Sequence, residues 1–256
     1  MRKIKSSNFD RYVTNLCQQN RTFVVESKRN VSSLYMNKQM VLLTKNENQK
    51  FGEDRKKIQA IIHFFGQVQG GINRHLKKIG FQVEPLKKRY TSSKTDREKW
   101  GNMADGEVFY YIDVKHCFWR ISYLNDYIGK NLYERVLEKE DFKFARNMSL
   151  ALIVAPRTRK YYKNGVLICE ITEERTMYRI IYDNIRFEAY NLMGDCMKIA
   201  KQHFIAYRTD GILLDKKALK RVCRFIDDNN LTYAIKECYK IDDRHYSVDG
   251  TEKKLF

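Results

Sequence analysis

The sequence lacks the features that would place a chain outside the cytosol or around a structural zinc ion. Its start, Met-Arg-Lys-Ile-Lys-Ser-Ser-Asn, has no apolar h-region, and no run approaches about 18 apolar residues. We therefore expect a cytoplasmic protein that is neither secreted nor inserted in a membrane. The six cysteines occur singly, without a C-x-x-C pair or a histidine at ligand spacing. Reduced, mostly buried thiols are expected, and a zinc site is not.

Acidic residues are also in short supply. The chain has 49 lysines and arginines against 31 acidic residues, which gives a formal charge of +18. Residues 1–100 hold 22 of these cations and 8 of the acids, so +14 of the +18 lies there. Solubility alone does not require one sign to dominate by so much. The imbalance therefore predicts a polyanionic partner.

What the sequence does contain is typical of a folded protein. Of its 256 residues, 43% are hydrophobic and 13% aromatic, which is enough for one elaborated domain or two small ones. Strand-like runs alternate with helical patterns, among them a long helical stripe over residues 178–203. The Asn164-Gly165 pair between apolar runs predicts a hairpin with a type I′ turn. The fold class predicted from these patterns is α+β.

Two apolar strands that end in acids stand about a hundred residues apart. Val108–Val114 is dense in β-branched and aromatic residues, which favour strands, and it carries Asp113 near its end. Later, two short apolar runs flank a Thr-Asp-Gly turn, which predicts a second hairpin with Asp210 at its tip. Two carboxylates about 4 Å apart repel by roughly 4 kcal/mol at an effective dielectric of about 20, so such a pair normally holds a divalent cation. We expect Mg²⁺, as two ions and with Mn²⁺ as a substitute, bound by Asp113 and Asp210.

A basic helical segment lies between the two acids in the sequence. Lys143, Arg146 and Asn147 stand at i, i+3 and i+4, which places them on one helical face, and Lys139 extends that face by a turn. Such a row can bind a triphosphate and offset its charge. An ordinary basic surface helix would show the same pattern.

Two basic regions precede the first acid strand. Residues 53–75 have a helical apolar period, interrupted by Gly66 and by Gly70-Gly71. Residues 85–105 have no apolar period and contain Lys87, Lys88 and Arg89. A flexible basic linker of this kind can bind a phosphate backbone without reading sequence, or can contact only water.

The order of acid strand, basic helix and acid hairpin resembles motifs A, B and C of family B DNA polymerases, most closely their compact protein-primed branch in phages and linear plasmids. The family's D-x-x-S-L-Y-P matches Asp113 and places Phe118 where a Tyr normally packs under the nucleotide sugar. Its K-x-x-x-N-S-x-Y-G matches Lys143 and Asn147, with Leu150-Ala151 in place of Tyr-Gly. Its Y-x-D-T-D-S corresponds to Ala206-Tyr207-Arg208-Thr209-Asp210-Gly211, in which Asp210 keeps the second acid and Arg208 stands in place of the first.

The resemblance implies a polymerase-type palm, an antiparallel sheet backed by helices, with short helical fingers. Residues 1–104 would form a basic nucleic-acid-binding extension, residues 105–215 the palm with inserted fingers, and residues 216–256 a thumb-like segment. No acid pair before residue 105 resembles the family's exonuclease motifs. A lysine near the primer terminus is expected after motif C, and Lys236, or Lys240, beside Tyr239 is the candidate.

The implied function is template-directed DNA synthesis by a two-metal-ion mechanism. The partners would be a DNA primer-template, deoxynucleoside triphosphates and further replication proteins, inside a bacterial host cell. Whether the primer is DNA, RNA or a protein hydroxyl, and whether RNA serves as template, is open.

Two other functions fit parts of the same sequence. Asp113-Val114-Lys115 also fits the D-x-K half of a metal-dependent nuclease, which needs a second acid on a neighbouring strand, with Glu170 as candidate. Alternatively, Arg208 and Leu150-Ala151 would mark a degenerate palm that only binds nucleic acid.

Overall fold

The computed structural model of the chain describes residues 2–28, 31–37, 39–45, 55–137, 142–173 and 175–255. It is of mixed α+β class, with antiparallel sheets backed by helices, which confirms the predicted class. The strands are β1 (Arg2–Lys5), β2 (Phe23–Lys28), β3 (Val31–Met36), β4 (Gln39–Lys45), β5 (Ser93–Thr95), β6 (Val108–Val114), β7 (Arg157–Lys163), β8 (Val166–Glu173), β9 (Phe204–Arg208), β10 (Gly211–Leu214), β11 (Tyr233–Lys240), β12 (His245–Val248) and β13 (Thr251–Lys254). The helices are α1 (Ser6–Gln18), α2 (Arg55–Lys78), α3 (Arg97–Asn102), α4 (Cys117–Leu124), α5 (Lys130–Leu137), α6 (Lys143–Leu152), α7 (Thr176–Ala200) and α8 (Lys216–Asp228), with a 3₁₀ turn at Lys201–His203.

The chain divides into two compact units, and neither is one continuous segment. The first unit comprises residues 1–69 and 144–179, and the second comprises residues 70–143 and 180–256. The functional division predicted at residues 104 and 215 is of another kind and stays a prediction.

The first unit is built on a six-stranded sheet in the order β1-β4-β3-β2-β7-β8. The pair of β1 and β4 is parallel, and the other pairs are antiparallel. Phe9 and Leu16 lie on one face of α1 and pack with Phe23, Val25 and Leu34 of the sheet. This small apolar core joins the start of the chain to its sheet.

The β7–β8 hairpin forms where the Asn-Gly pair predicted it. Asn164 and Gly165 both have positive φ angles, +50° and +78°. A Cβ on Gly165 would lie 2.1 Å from the carbonyl oxygen of Cys17, so only glycine allows this close approach. No local pattern in the sequence indicates that β7 pairs with β2, some 130 residues earlier in the chain.

The second unit is built on a seven-stranded sheet in the order β13-β12-β11-β6-β10-β9-β5, in which neighbouring strands are antiparallel. Four of these strands follow the β-α-β-β-α-β order, since helices separate β6 from β9, and α8 separates β10 from β11. In space these four lie in the order β11-β6-β10-β9. This arrangement brings the end of β6 beside the turn between β9 and β10.

The side chains of β6 alternate between two buried faces. Phe109 packs with Trp100, Leu213 and Cys238 on one face. Ile112 points to the other face, and helix α8 lies against β6. Burial on both sides explains why the strand reads as a nearly continuous apolar run in the sequence.

Helix α2 continues through the glycines that were expected to interrupt it. A Cβ on Gly71 would lie 2.3 Å from the carbonyl oxygen of Tyr127, so this glycine permits close packing and does not end the helix. Among the described residues, no helix combines the length and the apolar character needed to cross a bilayer.

Residues 84–92, called the strap below, are fixed along α7, whereas a flexible linker was expected. Asn184 accepts a hydrogen bond from the Leu86 N–H at 2.7 Å and donates one to the Glu84 carbonyl at 3.0 Å. Asn191 accepts from the Arg89 N–H at 2.9 Å and donates to the Lys87 carbonyl at 3.1 Å. Two asparagines, seven residues apart on one helix face, therefore satisfy an otherwise unpaired extended backbone.

Candidate active site

The two predicted acids meet at one end of the second sheet. Asp113 pairs with Gly211 in the antiparallel register of β6 and β10. The N–H of Val114 donates a hydrogen bond to the carbonyl oxygen of Asp210 at 3.0 Å. Thr209, with φ of +57°, turns the chain between β9 and β10 and leaves Asp210 at the tip. Residues far apart in sequence therefore lie at adjoining positions of neighbouring strands.

The electrostatics of Asp210 show that the two carboxylates are coupled. Burial, followed by the charge of Asp113, raises the pKa of Asp210 from 3.8 to about 6. A hydrogen bond from its own backbone and the ammonium of Lys143 act in the opposite direction on this pKa. Two partly buried acids that repel each other form a site that a cation would stabilise.

The donor set fits magnesium. Mg²⁺ prefers hard oxygen ligands and is commonly bound by one or two carboxylates together with substrate phosphates. Asp113 and Asp210 provide two such carboxylates. Within the described part of the chain, no group of three or more His, Cys, Asp or Glu side chains is placed to hold a metal ion. Two carboxylates are therefore the protein's own contribution to any ion at this site.

Tyr111 is a site residue that the sequence reasoning missed. It stands two residues before Asp113 on the same face of β6, and its hydroxyl lies 3.4 Å from Asp113 Oδ1. Burial, followed by the charges of Asp113 and Asp210, raises the pKa of this phenol. The period of two along a strand was the signal that could have identified it.

Two of the cations on the face of the sheet that carries Asp113 lie on the strands nearest to it. Lys236, a predicted nucleic-acid contact on β11, pairs with Tyr111 and forms an ion pair with Asp249 at 2.6 Å. The hydrogen bond to Asp249, and to a lesser degree the charge of Asp113, raise the pKa of Lys236. Arg208 pairs with Gly211 and so lies on the same face, about two strand spacings or roughly 10 Å from Asp113.

The predicted triphosphate-binding residues have different environments. Lys143 is exposed at the start of α6 and acts on the pKa of Asp210. Arg146 is only 2% exposed, so it is a buried side chain and not the surface cation that was expected. Asn147 is exposed, and it belongs with Arg146 to the first unit. Lys139 lies outside the described residues.

Helix α4 begins directly after the acid strand. His116, with φ of +54°, turns the chain into the helix, whose first residue is the buried Cys117. Burial and then the charge of Asp210 raise the pKa of the Cys117 thiol well above its ordinary value, so it stays protonated and is a poor nucleophile. Phe118 is half-buried in this helix, and its role beneath a nucleotide sugar stays a prediction.

The basic side chains of the strap already have partners. Arg89 pairs with Asp195 at 2.6 Å, and the Lys88 ammonium lies 5.8 Å from the ring centres of both Phe187 and Tyr190. Lys87 is exposed. The proposed phosphate contacts of the strap would therefore have to compete with these interactions.

Tyr239 and Lys240 do not lie beside the acid pair. Tyr239 pairs with Val108 at the far end of β6 and donates a hydrogen bond to Glu237. Lys240 is buried and donates to the Met103 carbonyl at 2.6 Å. Of the candidates for a lysine near the primer terminus, Lys236 is the one near Asp113, because it pairs with Tyr111 whereas Lys240 lies at the other end of the strand.

Glu170, the acid required for a D-x-K nuclease, is not on a strand that neighbours β6. It lies on the exposed strand β8 of the first unit and pairs with Lys160 at 3.2 Å. The neighbours of β6 are β10 and β11. The strand adjacency that this alternative needs is therefore not formed.

Comparison of the chain with protein-family models, with curated proteins and with solved structures gives no match.

Proposed function

We propose that the chain is a metal-dependent nucleotidyltransferase that extends a primer 3′-OH with deoxynucleotides on a template. The observation that carries this proposal is the meeting of Asp113 and Asp210 at one end of an antiparallel sheet. The charge of one carboxylate raises the pKa of the other, as expected of a pair built to share a cation. The order of the three sequence motifs supports the same function.

Asp113 and Asp210 would hold Mg²⁺, which when bound supplies positive charge for the attacking hydroxyl and the leaving pyrophosphate. The chain itself adds cations at the rim of this site. Lys143 would contact the triphosphate, a role supported by its exposure and its electrostatic effect on Asp210. Lys236 is coupled to Asp113 and is the candidate contact for the primer terminus.

The carboxylates can be tested by primer extension. Asp113→Asn and Asp210→Asn should each lower the extension rate by at least about 10³-fold, because an amide neither carries charge nor replaces a carboxylate as a Mg²⁺ ligand. Affinity for primer-template should remain within about threefold in both variants. Asp228→Asn, at the exposed end of α8, is the matched control and should extend at the parent's rate. Extension at the parent's rate by either site variant would show that the assignment is wrong.

A degenerate palm that only binds nucleic acid is the second candidate. Arg208 favours it, since this residue occupies the position of the family's first motif C acid and lies on the face of Asp113. Equilibrium binding of a deoxynucleoside triphosphate with and without Mg²⁺ separates the two candidates. A transferase should bind the nucleotide at least about tenfold more tightly with the metal, and a degenerate palm should show no metal dependence.

A further inference from the structure

The ring of Tyr111 lies directly on Gly211, beside the acid pair. A Cβ built on Gly211 would lie 2.2 Å from the Tyr111 hydroxyl oxygen and 2.4 Å from its Cε2. Real side chains do not tolerate such distances, so any other residue at position 211 would displace the ring. Glycine is thus required here by the neighbouring tyrosine and not by a turn, since Gly211 has no positive φ.

The position of the ring determines where its hydroxyl lies. Tyr111 and Asp113 are two residues apart on one strand and point to the same face. With the ring held over Gly211, the Tyr111 hydroxyl is 3.4 Å from Asp113 Oδ1, a long hydrogen bond in which the phenol donates. The side chain is half-buried and packs against the apolar cluster that contains Phe109 and Leu213, which limits its alternative positions.

We propose that Tyr111 is a positioning residue that orients the Asp113 carboxylate for a divalent cation. Gly211, which has no side chain, leaves room for the Tyr111 ring to take this position. With Oδ1 held by the phenol, Oδ2 is the oxygen that remains for an ion shared with Asp210. A carboxylate ligand commonly needs such an outer partner, because unrestrained rotation lowers its affinity for the ion. This inference rests on the proposed function, since it assigns a partner to one of the two proposed ligands.

The pairing of Tyr111 with Gly211 also accounts for a departure from the resembled family. The third motif of that family has serine directly after its second acid, whereas this chain has Gly211. A serine Cβ would occupy the volume of the tyrosine ring. A serine at position 211 would therefore require the Tyr111 ring to move or to be replaced by a smaller side chain.

Mn²⁺ binding to the full-length chain, measured by calorimetry and by electron paramagnetic resonance, tests the inference without relying on activity. Tyr111→Phe should raise the dissociation constant for Mn²⁺ by about 10- to 100-fold, the usual effect of removing an outer partner of a ligand. Tyr110→Phe is the matched control, because Tyr110 points to the opposite face and donates to Glu237. It should bind Mn²⁺ as the parent does.

Gly211→Ala provides an independent test of the same contact. It should weaken Mn²⁺ binding to a similar extent, because the added methyl group displaces the ring and with it the hydroxyl. The double variant with Tyr111→Phe should bind no more weakly than Gly211→Ala alone, since both changes remove one interaction. Thermal unfolding of each variant identifies the temperature range in which all of them are folded, and binding is compared there.

The outcomes separate this inference from the proposed function. Parent-like Mn²⁺ affinity in Tyr111→Phe, with binding lost in Asp113→Asn, would overturn the role of Tyr111 and leave the acid pair intact. Absence of Mn²⁺ binding by the parent would overturn both. Equal, additive losses in the double variant would show that Gly211 acts independently of Tyr111.

Discussion

The ionised carboxylate of Asp210 destabilises the folded protein, because burial and the charge of Asp113 disfavour its charged form. In the unfolded chain its carboxyl ionises with the ordinary pKa of 3.8, whereas burial and the charge of Asp113 raise the folded pKa to about 6. Below pH 3.8 the group is protonated in both states and has no effect on stability. Between pH 3.8 and about 6 the folded protein retains a proton that the unfolded chain has released, so stability falls over this range and is constant above it.

Asp210→Asn should therefore stabilise the metal-free protein. The expected gain above pH 6 is on the order of 1–3 kcal/mol, because one pKa unit corresponds to about 1.4 kcal/mol. The gain should diminish as the pH falls and be absent near pH 3.5. Urea unfolding in the presence of a chelator at pH 7.5 and at low pH measures this difference. A variant less stable than the parent at pH 7.5 would contradict the proposed repulsion.

The sequence predicts the positions of some site residues and not of others, because packing between distant elements is not encoded in a local pattern. Asp113 and Asp210 follow from local rules, because each ends or caps an apolar strand whose type is clear in the sequence. The burial of Arg146 could not be predicted, since helical spacing gives a face but not what covers it. The contact of Tyr111 with Gly211 joins two strands whose pairing no local pattern specifies.

At the scale of elements, the end of the strap contacts the β9–β10 hairpin, which carries Asp210. The Tyr207 hydroxyl donates to the Thr91 carbonyl at 3.2 Å, and the Thr209 N–H donates to the Ser92 carbonyl at 2.7 Å. Strand β5 then pairs with β9. The residue before Asp210 is thus held by the end of the strap.

Asn191→Ala should loosen the strap. Its side chain is 6% exposed, so its loss leaves the Lys87 carbonyl and the Arg89 N–H without a partner. The expected destabilisation is about 1–3 kcal/mol. Asn184→Ala is the control, because its contacts are more exposed and water can replace them, and it should have a smaller effect. Thermal unfolding gives the stability, and faster hydrogen exchange at residues 86–92 in Asn191→Ala would locate the change.

Strand β8 is an edge strand with apolar side chains in solvent. Val166, Ile168 and Ile171 are 66%, 59% and 53% exposed. An exposed apolar edge with unpaired backbone groups promotes association. Ile168→Lys should therefore reduce concentration-dependent self-association and change stability by less than about 0.5 kcal/mol. Light scattering against concentration measures this, and unchanged scattering would show that β8 is not the associating surface.

Elements were predicted correctly where their own residues specify them, and incorrectly where contacts with distant residues do. Strand β6, the two hairpins and helix α7 were predicted, since each has its own period or turn residues. The strap was expected to be flexible, because no local pattern orders it. Its order comes from hydrogen bonds to asparagines about a hundred residues away. Helix α2 was expected to break at its glycines, which instead permit contact with Tyr127.

For the whole molecule, the charge of +18 dominates interactions at a distance. Binding to a primer-template duplex should be strongly salt-dependent, because each phosphate contact releases condensed counterions. With about 6–10 such contacts, affinity should fall by about 10³- to 10⁵-fold between 50 and 200 mM salt. Fluorescence anisotropy with duplexes of two unrelated sequences measures the slope. A slope near zero, or one that differs between the sequences, would contradict binding by phosphate contacts.

The chain passes between its two units inside three helices, since the borders at residues 69, 143 and 179 fall within α2, α6 and α7. A gene rearrangement that separated residues 1–104 from the remainder would remove β7 and β8 from the first sheet and Trp100 from the core of the second. Neither fragment would inherit a complete hydrophobic interior. The hydrophobic interior of each unit therefore depends on residues from both sides of this break, so evolution can transfer the two segments only together.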